Sequence, residues 1–200
     1  MNLVLFRAYE KDDYICRLAY ESFKHYNVGD KFIALAEKGN YKYIKDLEII
    51  HRDSVGNFGG QLGVKGLLKS FQDIEVEDSD SVFLSDSDIL LKESIEGFDG
   101  LKGAGGYNGI INHISGQLQI MSGKLFNLLK TFTTKDIDII VFDEMIPMGL
   151  NIADDIFISY IAYKYNFKTD FYNKKWLHKK LYEYNDNTNY SVIINELRNK

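Results

Sequence analysis

The stretch SVFLSDSDILL, residues 81–91, decides how this sequence is interpreted. Apolar residues on both sides enclose two carboxylates, Asp86 and Asp88, with only Ser87 between them. The short apolar run before them predicts a buried strand over residues 82–85. The two acids would then stand at a strand end, where like charges repel each other in a dry setting. A divalent cation turns that repulsion into ligation, and hard carboxylate oxygens suit Mg²⁺ or Mn²⁺.

Strand and helix patterns alternate around this stretch. Further short apolar runs predict strands at 3–9, 30–37, 116–122, 137–145 and 168–173. Helical spacing predicts helices after Asp12 and at 61–71, 123–132, 151–167 and 190–200, and residues 41–50 suggest a short helix leading into a strand. Residues 51–63 are loop-like. The six glycines of 97–109 indicate turns and close backbone approaches, or simply a mobile loop.

The alternation predicts an α/β fold with a central, mostly parallel sheet flanked by helices. In such sheets ligands bind beyond the carboxyl ends of the strands, which is where Asp86 and Asp88 fall. The length of 200 residues suits one domain, and we expect a nucleotide-binding half at 1–91 and an acceptor half with a tail at 92–200.

Composition and charge bear on the protein's partners and on its cellular compartment. The net charge of −5 gives no general attraction to phosphate backbones or anionic membranes. The single cysteine, Cys16, rules out an internal disulfide and fits a reducing compartment. The first residues predict no signal peptide, and no apolar run approaches the ~20 residues that span a bilayer. We therefore expect a cytoplasmic protein without a transmembrane segment.

Four segments in order resemble the GT-A-fold glycosyltransferases that use nucleotide-sugar donors. SVFLSDSDILL resembles their Asp-x-Asp segment, and NFGGQLGVKGLLKSF resembles the helix before it. NIADDIFISYIAYKY resembles the acidic pair that opens a late helix, and KKWLHKK resembles the segment in which a His completes the metal shell. The resemblance implies a Rossmann-like GT-A nucleotide-diphospho-sugar transferase fold. It spans about 170 residues of the chain.

The resemblance also implies site residues. Asp88 and Asp86, with His178, would bind Mn²⁺ or Mg²⁺, and Asp155, beside Asp154, would be the catalytic base toward the acceptor hydroxyl. The residues expected at the nucleotide-sugar donor are Arg7, Tyr9, Asp53, Lys65, Asp86, Ser87 and Gln117. His113 and Gln117 could line the sugar pocket.

The expected reaction moves a sugar from the donor to a hydroxyl acceptor. Uridine is the commonest donor base in this fold, so a UDP-sugar is expected by analogy. The acceptor stays open among glycan, protein, lipid-linked sugar and modified nucleobase.

Two other readings of the same residues stay open. In a haloacid-dehalogenase-type phosphatase, Asp86 would be the nucleophile and Asp88 the general acid. That family places its motif on an early strand, whereas some 80 residues precede Asp86 here. A non-catalytic nucleotide-sugar-binding module would keep the fold without the reaction.

Overall fold

The computed structural model describes residues 1–52 and 60–172 and the backbone of the strand at 176–178. Its strands are β1 (Asn2–Ala8), β2 (Lys31–Ala36), β3 (Glu48–His51), β4 (Ser81–Asp86), β5 (Ile89–Leu91), β6 (Leu101–Tyr107), β7 (Asn112–Ser122), β8 (Thr169–Phe171) and β9 (Trp176–His178). Its helices are α1 (Asp13–His25), α2 (Gln61–Phe71), α3 (Gly123–Thr131), α4 (Thr134–Ile139) and α5 (Asp154–Lys164). A π-helical segment, Ile140–Met145, continues α4.

Seven strands form one sheet in the order β3-β2-β1-β4-β7-β6-β8. The first four are mutually parallel, β7 runs antiparallel to both of its neighbours, and β8 is parallel to β6. A separate antiparallel pair joins β5 to β9. This mostly parallel mixed sheet confirms the predicted α/β class, and it takes strands from both halves of the chain.

Two apolar clusters cover the two faces of the sheet. Residues of α2, α3, α4 and α5 pack on one face with Leu3 and Leu5, and α1 packs on the other face with Val4 and Phe6. The alternation along β1 follows from the two-residue period of a strand, which points successive side chains to opposite faces. We call the first of these the α5 face, because α5 brings Asp154 and Asp155 to it.

Most predicted elements are confirmed, including the helix at 61–71, the strand before Asp86 and the helix that begins at the second acidic pair. The strand predicted at 137–145 is wrong, because this segment is helical. Four of its six apolar residues are β-branched, but Ile137, Ile140, Val141 and Met145 are buried at helical spacing. A capping box between Thr133 and Asp136 starts the helix.

The structure also differs from two further predictions. The short helix expected within 41–47 does not form, and only the strand that follows it is present. Most of the glycine-rich stretch is strand β6, and a backbone irregularity lies between Gly103 and Gly105. The close backbone approaches expected there are real, because a side chain at Gly105 would meet the carbonyl oxygen of His113. The helix predicted at 190–200 lies outside the described residues.

Within the part of the chain that the structure describes, no helix has both the length and the apolar character needed to cross a membrane.

Candidate functional site

The site is built where β1 and β4 end side by side. Arg7 on β1 is in register with Asp86 on β4. Arg7 has the same parity as Leu3 and Leu5, and Asp86 has the same parity as Val82 and Leu84, so both side chains belong to the α5 face. The first turn of α5 lies over this point. Arg7 and Asp86, at the ends of two apolar strands, are thereby placed below Asp154 and Asp155, the acidic pair that opens α5.

Arg7 joins the two acidic pairs. Its Nη2 lies 2.9 Å from Asp86 Oδ1, and its Nη1 donates a hydrogen bond of 2.6 Å to Asp154 Oδ2. It also donates to the carbonyl oxygen of Gly116. Burial alone would lower the pKa of the Arg7 guanidinium, but the carboxylates of Asp86 and Asp154 outweigh burial and raise it. Arg7 is therefore a permanent buried cation, and it relieves part of the repulsion among the acids around it.

The turn after β4 presents the Asp-x-Asp side chains unequally. The Asp86 side chain is 34% exposed, Ser87 is buried, and Asp88 is half-buried at the tip of the turn. The strand that follows pairs with β9 so that Ile89 lies opposite His178. The backbone of His178 is thus next to the residue that follows Asp88, which is where a third metal ligand was predicted. The side chain of His178 lies outside the described residues.

The carboxylates of this turn fit a hard divalent cation. Asp88 and the second carboxylate oxygen of Asp86 offer the oxygen ligands that Mg²⁺ or Mn²⁺ takes, and such ions keep places for water and phosphate oxygens. Among the side chains that the structure describes, no group of three or more His, Cys, Asp or Glu residues is arranged to hold a metal ion. A full set of protein ligands therefore needs a donor beyond these two carboxylates.

Asp155 is held in a different way from Asp154. Its Oδ2 accepts a hydrogen bond of 3.0 Å from the backbone N–H of Gly116 and lies 3.0 Å from His113 Nε2. Its Oδ1 accepts a bond of 2.8 Å from the N–H of Ile156. Burial raises the pKa of the Asp155 carboxyl, but the hydrogen bond and charge of His113, with the two N–H groups, lower it overall. The Asp155 carboxylate is therefore stabilised in its charged form.

The predicted donor contacts are spread over this edge of the sheet. Tyr9 follows β1, and the guanidinium of Arg52 lies over its ring at 5.2 Å from the ring centre. Burial raises the pKa of the Tyr9 hydroxyl. Gln117 is half-buried on β7, next to Gly116. Asp53 lies outside the described residues, directly after Arg52.

Lys65 forms its ion pair outside the two acidic pairs, Asp86 with Asp88 and Asp154 with Asp155. It lies on α2, where its Nζ forms an ion pair with Asp138 of α4. Gln61 bonds the same carboxylate. Lys65 also lines a cavity of about 540 Å³ between α2 and α4, whose lining includes none of the four acids. Its predicted contact with the donor stays a prediction.

Two relationships were missed by sequence reasoning. Arg7 was predicted to contact the donor, and the prediction did not include its bonds to Asp86 and Asp154, one acid of each pair. His113 was expected in a sugar pocket, without its pairing to Asp155. Strand parity gave a signal for the first, because Leu3, Leu5 and Arg7 share one face. No signal predicted the second, because β7 and α5 are far apart in sequence.

No family model matches this sequence, and no curated protein matches it. Solved structures share its fold. Galactosyltransferase LgtC, in complex with donor and acceptor sugar analogs, has a TM-score of 0.53 and 13% identity over 86% of this chain and 73% of that chain. Mannosyltransferase PcManGT from Pyrobaculum calidifontis, in complex with GDP-Man and Mn²⁺, has a TM-score of 0.52 and 10% identity over 86% of this chain and 55% of that chain.

A third solved structure, 4-diphosphocytidyl-2C-methyl-D-erythritol synthase, has a TM-score of 0.50 and 9% identity, over 98% of this chain and 97% of that chain. Identities this low show a shared fold and nothing finer. The chain therefore has the fold of the GT-A-type glycosyltransferases, as its resemblance to that family predicted.

Proposed function

We propose that this protein is a glycosyltransferase that moves a sugar from a nucleotide-sugar, by analogy a UDP-sugar, to a hydroxyl group. The observation that carries the proposal is the meeting of two acidic pairs at the carboxyl edge of the sheet, joined by Arg7. Asp86 and Asp88 form the first acidic pair, and Asp154 and Asp155 form the second. In the proposed transfer, the first pair serves the donor diphosphate and the second serves the acceptor hydroxyl.

The first acidic pair, Asp86 and Asp88, is proposed to hold the donor diphosphate through Mn²⁺ or Mg²⁺. Asp88 and the second oxygen of Asp86 would bind the ion, and His178 would complete the protein ligands. A bound divalent cation supplies Lewis-acid stabilisation of the charge that develops on a leaving nucleoside diphosphate. PcManGT, which shares the fold, is in complex with GDP-Man and Mn²⁺, and this supports a role for a divalent cation in the proposed reaction. Ser87 is buried, so we expect its backbone, more than its hydroxyl, to face the donor.

The nucleoside is proposed to lie beyond the ends of β1 and β3. Tyr9, which follows β1, is proposed to contact the base, and Asp53, two residues after β3 in the sequence, is proposed to contact the base or the ribose. Gln117, next to Gly116 on β7, is proposed to contact the sugar. Arg7 is proposed to order the acids instead of bonding the nucleotide base, because its guanidinium already bonds Asp86, Asp154 and Gly116.

The second acidic pair, Asp154 and Asp155, is proposed to act on the acceptor hydroxyl. Asp154 is buried and bonded to Arg7. We propose that it acts through Arg7, by fixing the position of one acidic pair relative to the other. Asp155 is the partly exposed carboxylate of the pair and faces β7. In an inverting transfer a base must take the proton of the acceptor hydroxyl, and Asp155 belongs to that base, either directly or through His113.

The alternatives predict different chemistry from the same residues. A phosphatase would use Asp86 as a nucleophile, but one of its carboxylate oxygens is bonded to Arg7, which weakens its nucleophilicity. A binding module would take up the nucleotide-sugar and leave it intact. The likeness to a diphosphocytidyl compound synthase suggests a nucleoside triphosphate as a further substrate to include.

The test incubates the purified protein with Mn²⁺ and a panel of nucleotide-sugars, and separately with nucleoside triphosphates and a simple phosphate ester. We expect release of nucleoside diphosphate from a nucleotide-sugar. Asp88→Asn should reduce that release at least 100-fold, whereas Asp170→Asn, an exposed acid on β8, should leave it unchanged. Phosphate release from the ester, pyrophosphate release from a triphosphate, or binding without turnover would each reject the proposal.

A further inference from the structure

His113 is fixed against the acidic pair of α5. It lies near the start of β7, its Nε2 is 3.0 Å from Asp155 Oδ2, and its side chain is 31% exposed. The Asp155 side chain is 20% exposed, so the pair lies at the surface of the site and not deep within it. The neighbouring strand β6 places Gly106 opposite His113, so that strand adds no side chain at this register position.

The carboxylate of Asp155 is poorly suited to accept a proton by itself. Both of its oxygens already accept hydrogen bonds from backbone N–H groups, of Gly116 and Ile156, and Oδ2 also meets the imidazole. Every one of these donors stabilises the charged form. The proton affinity that a carboxylate base needs is thus reduced by the same contacts that fix its position.

The imidazole has the opposite property. The hydrogen bond to Asp155 raises the pKa of His113, burial lowers it, and the charge of Asp155 raises it further, with a net rise above the ordinary value. Among the described residues, the charged group that His113 meets is Asp155 on α5. Farther from the imidazole, Asp154 precedes Asp155 on α5, and Arg7 of β1 bonds Asp154 and the Gly116 carbonyl. Strand β6 has Gly106 opposite His113. When neutral, His113 donates its Nε2–H to Asp155 and leaves Nδ1 as a proton acceptor.

We propose that His113 is the base that accepts the proton of the acceptor hydroxyl, and that Asp155 is its positioning residue. The hydroxyl O–H bond breaks and its proton moves to His113 Nδ1, while the oxygen forms a bond to the anomeric carbon of the sugar. The bond from that carbon to the donor diphosphate breaks, and its electron pair leaves with the nucleoside diphosphate. The inference rests on the proposed glycosyl transfer and requires that it invert the anomeric centre.

The test compares three variants in transfer to an acceptor over pH 5 to 9. His113→Gln should lower kcat by about 10²–10⁴-fold, leave the KM for the donor within about threefold of wild type, and remove the acid limb of the pH profile. Asp155→Asn should move that limb to lower pH, because the imidazole loses the partner that raises its pKa. His25→Gln, on α1 at the other face of the sheet, should change nothing.

A rescue experiment separates chemistry from folding. His113→Ala should lose transfer and regain part of it when imidazole is added, whereas wild type should not respond. If His113→Gln keeps the wild-type kcat and acid limb, this inference is wrong and the proposed function stands. If wild type transfers no sugar from any donor, both are wrong.

Discussion

Arg7 Nη1 lies 2.6 Å from Asp154 Oδ2, and the two residues are 147 positions apart in the sequence. The bond ties the first strand to the helix that closes the site, and the same guanidinium reaches Asp86 on the neighbouring strand. Both partners of the 2.6 Å bond are buried. The stability of the fold and the geometry of the proposed site therefore depend on the same buried cation.

Loss of that cation should be costly. Arg7→Met leaves Asp154 charged and buried without its partner, and we expect a loss of about 3–5 kcal/mol in the free energy of unfolding. Urea denaturation at pH 7 measures it. The double variant Arg7→Met with Asp154→Leu should recover much of the loss, because the unpaired charge is then gone. Arg17→Met is the matched control: Arg17 pairs with Glu21 and Asp46 near the surface, and its loss should cost about 0–1 kcal/mol. Equal costs for the two single variants would show that the Arg7 network does not stabilise the fold.

Two adjacent isoleucines test which face of residues 137–145 packs on the core. Ile140 is 4% exposed and Ile139 is 43% exposed. Ile140→Ala should destabilise the protein by about 2–5 kcal/mol, because it opens a cavity in the core. Ile139→Ala should change stability by no more than about 0.5 kcal/mol. Thermal denaturation of the two variants compares them directly, and similar costs would contradict the arrangement of the helix.

Two adjacent glycines test the backbone contact between β6 and β7. A Cβ at Gly105 would meet the carbonyl oxygen of His113, whereas one at Gly106 would meet nothing within 4 Å. Gly105→Ala should therefore cost about 1–3 kcal/mol, because the backbone of either strand must shift. It should also displace His113, visible as a changed imidazole signal in NMR spectra. Gly106→Ala should leave both the stability and that signal close to wild type, and a larger effect at Gly106 would refute the register between the strands.

The pairing of His113 with Asp155 should appear in the pH dependence of stability. The pKa of His113 is raised on folding, so its contribution is complete below the unfolded value of about 6.5 and is lost as pH rises through the folded value. The pKa of Asp155 is lowered, so its contribution is complete above the unfolded value of about 3.9 and is lost as pH falls through the folded value.

Wild type should therefore exceed His113→Gln in stability most between about pH 4 and 6.5, by about 1 kcal/mol or less because both groups are partly exposed. Denaturation curves at pH 5, 7 and 8.5 measure the difference. A gap that is constant or grows toward pH 8.5 would exclude the charged pair.

Local patterns in the sequence were enough to predict the class of fold and the position of one half of the site. The apolar strand before Asp86, the helix that opens with Asp154 and Asp155, and the α/β alternation all depend on short-range periodicity, which a single sequence displays. The segment around Ile140 was misassigned because β-branched residues suit a strand locally. Their helical spacing and the capping box at Thr133 decided otherwise once the segment packed on the core.

What the sequence by itself determined is the chemistry available: two acidic pairs, one at a strand end and one at a helix start. Only the tertiary structure decided which side chains those acids meet. The parallel register of β1 and β4 placed Arg7 beside Asp86, and the packing of α5 on β7 placed His113 beside Asp155. The reason is physical, since a buried charge takes its partner from whatever the packed chain brings within a few ångströms, and separation along the sequence does not limit that choice.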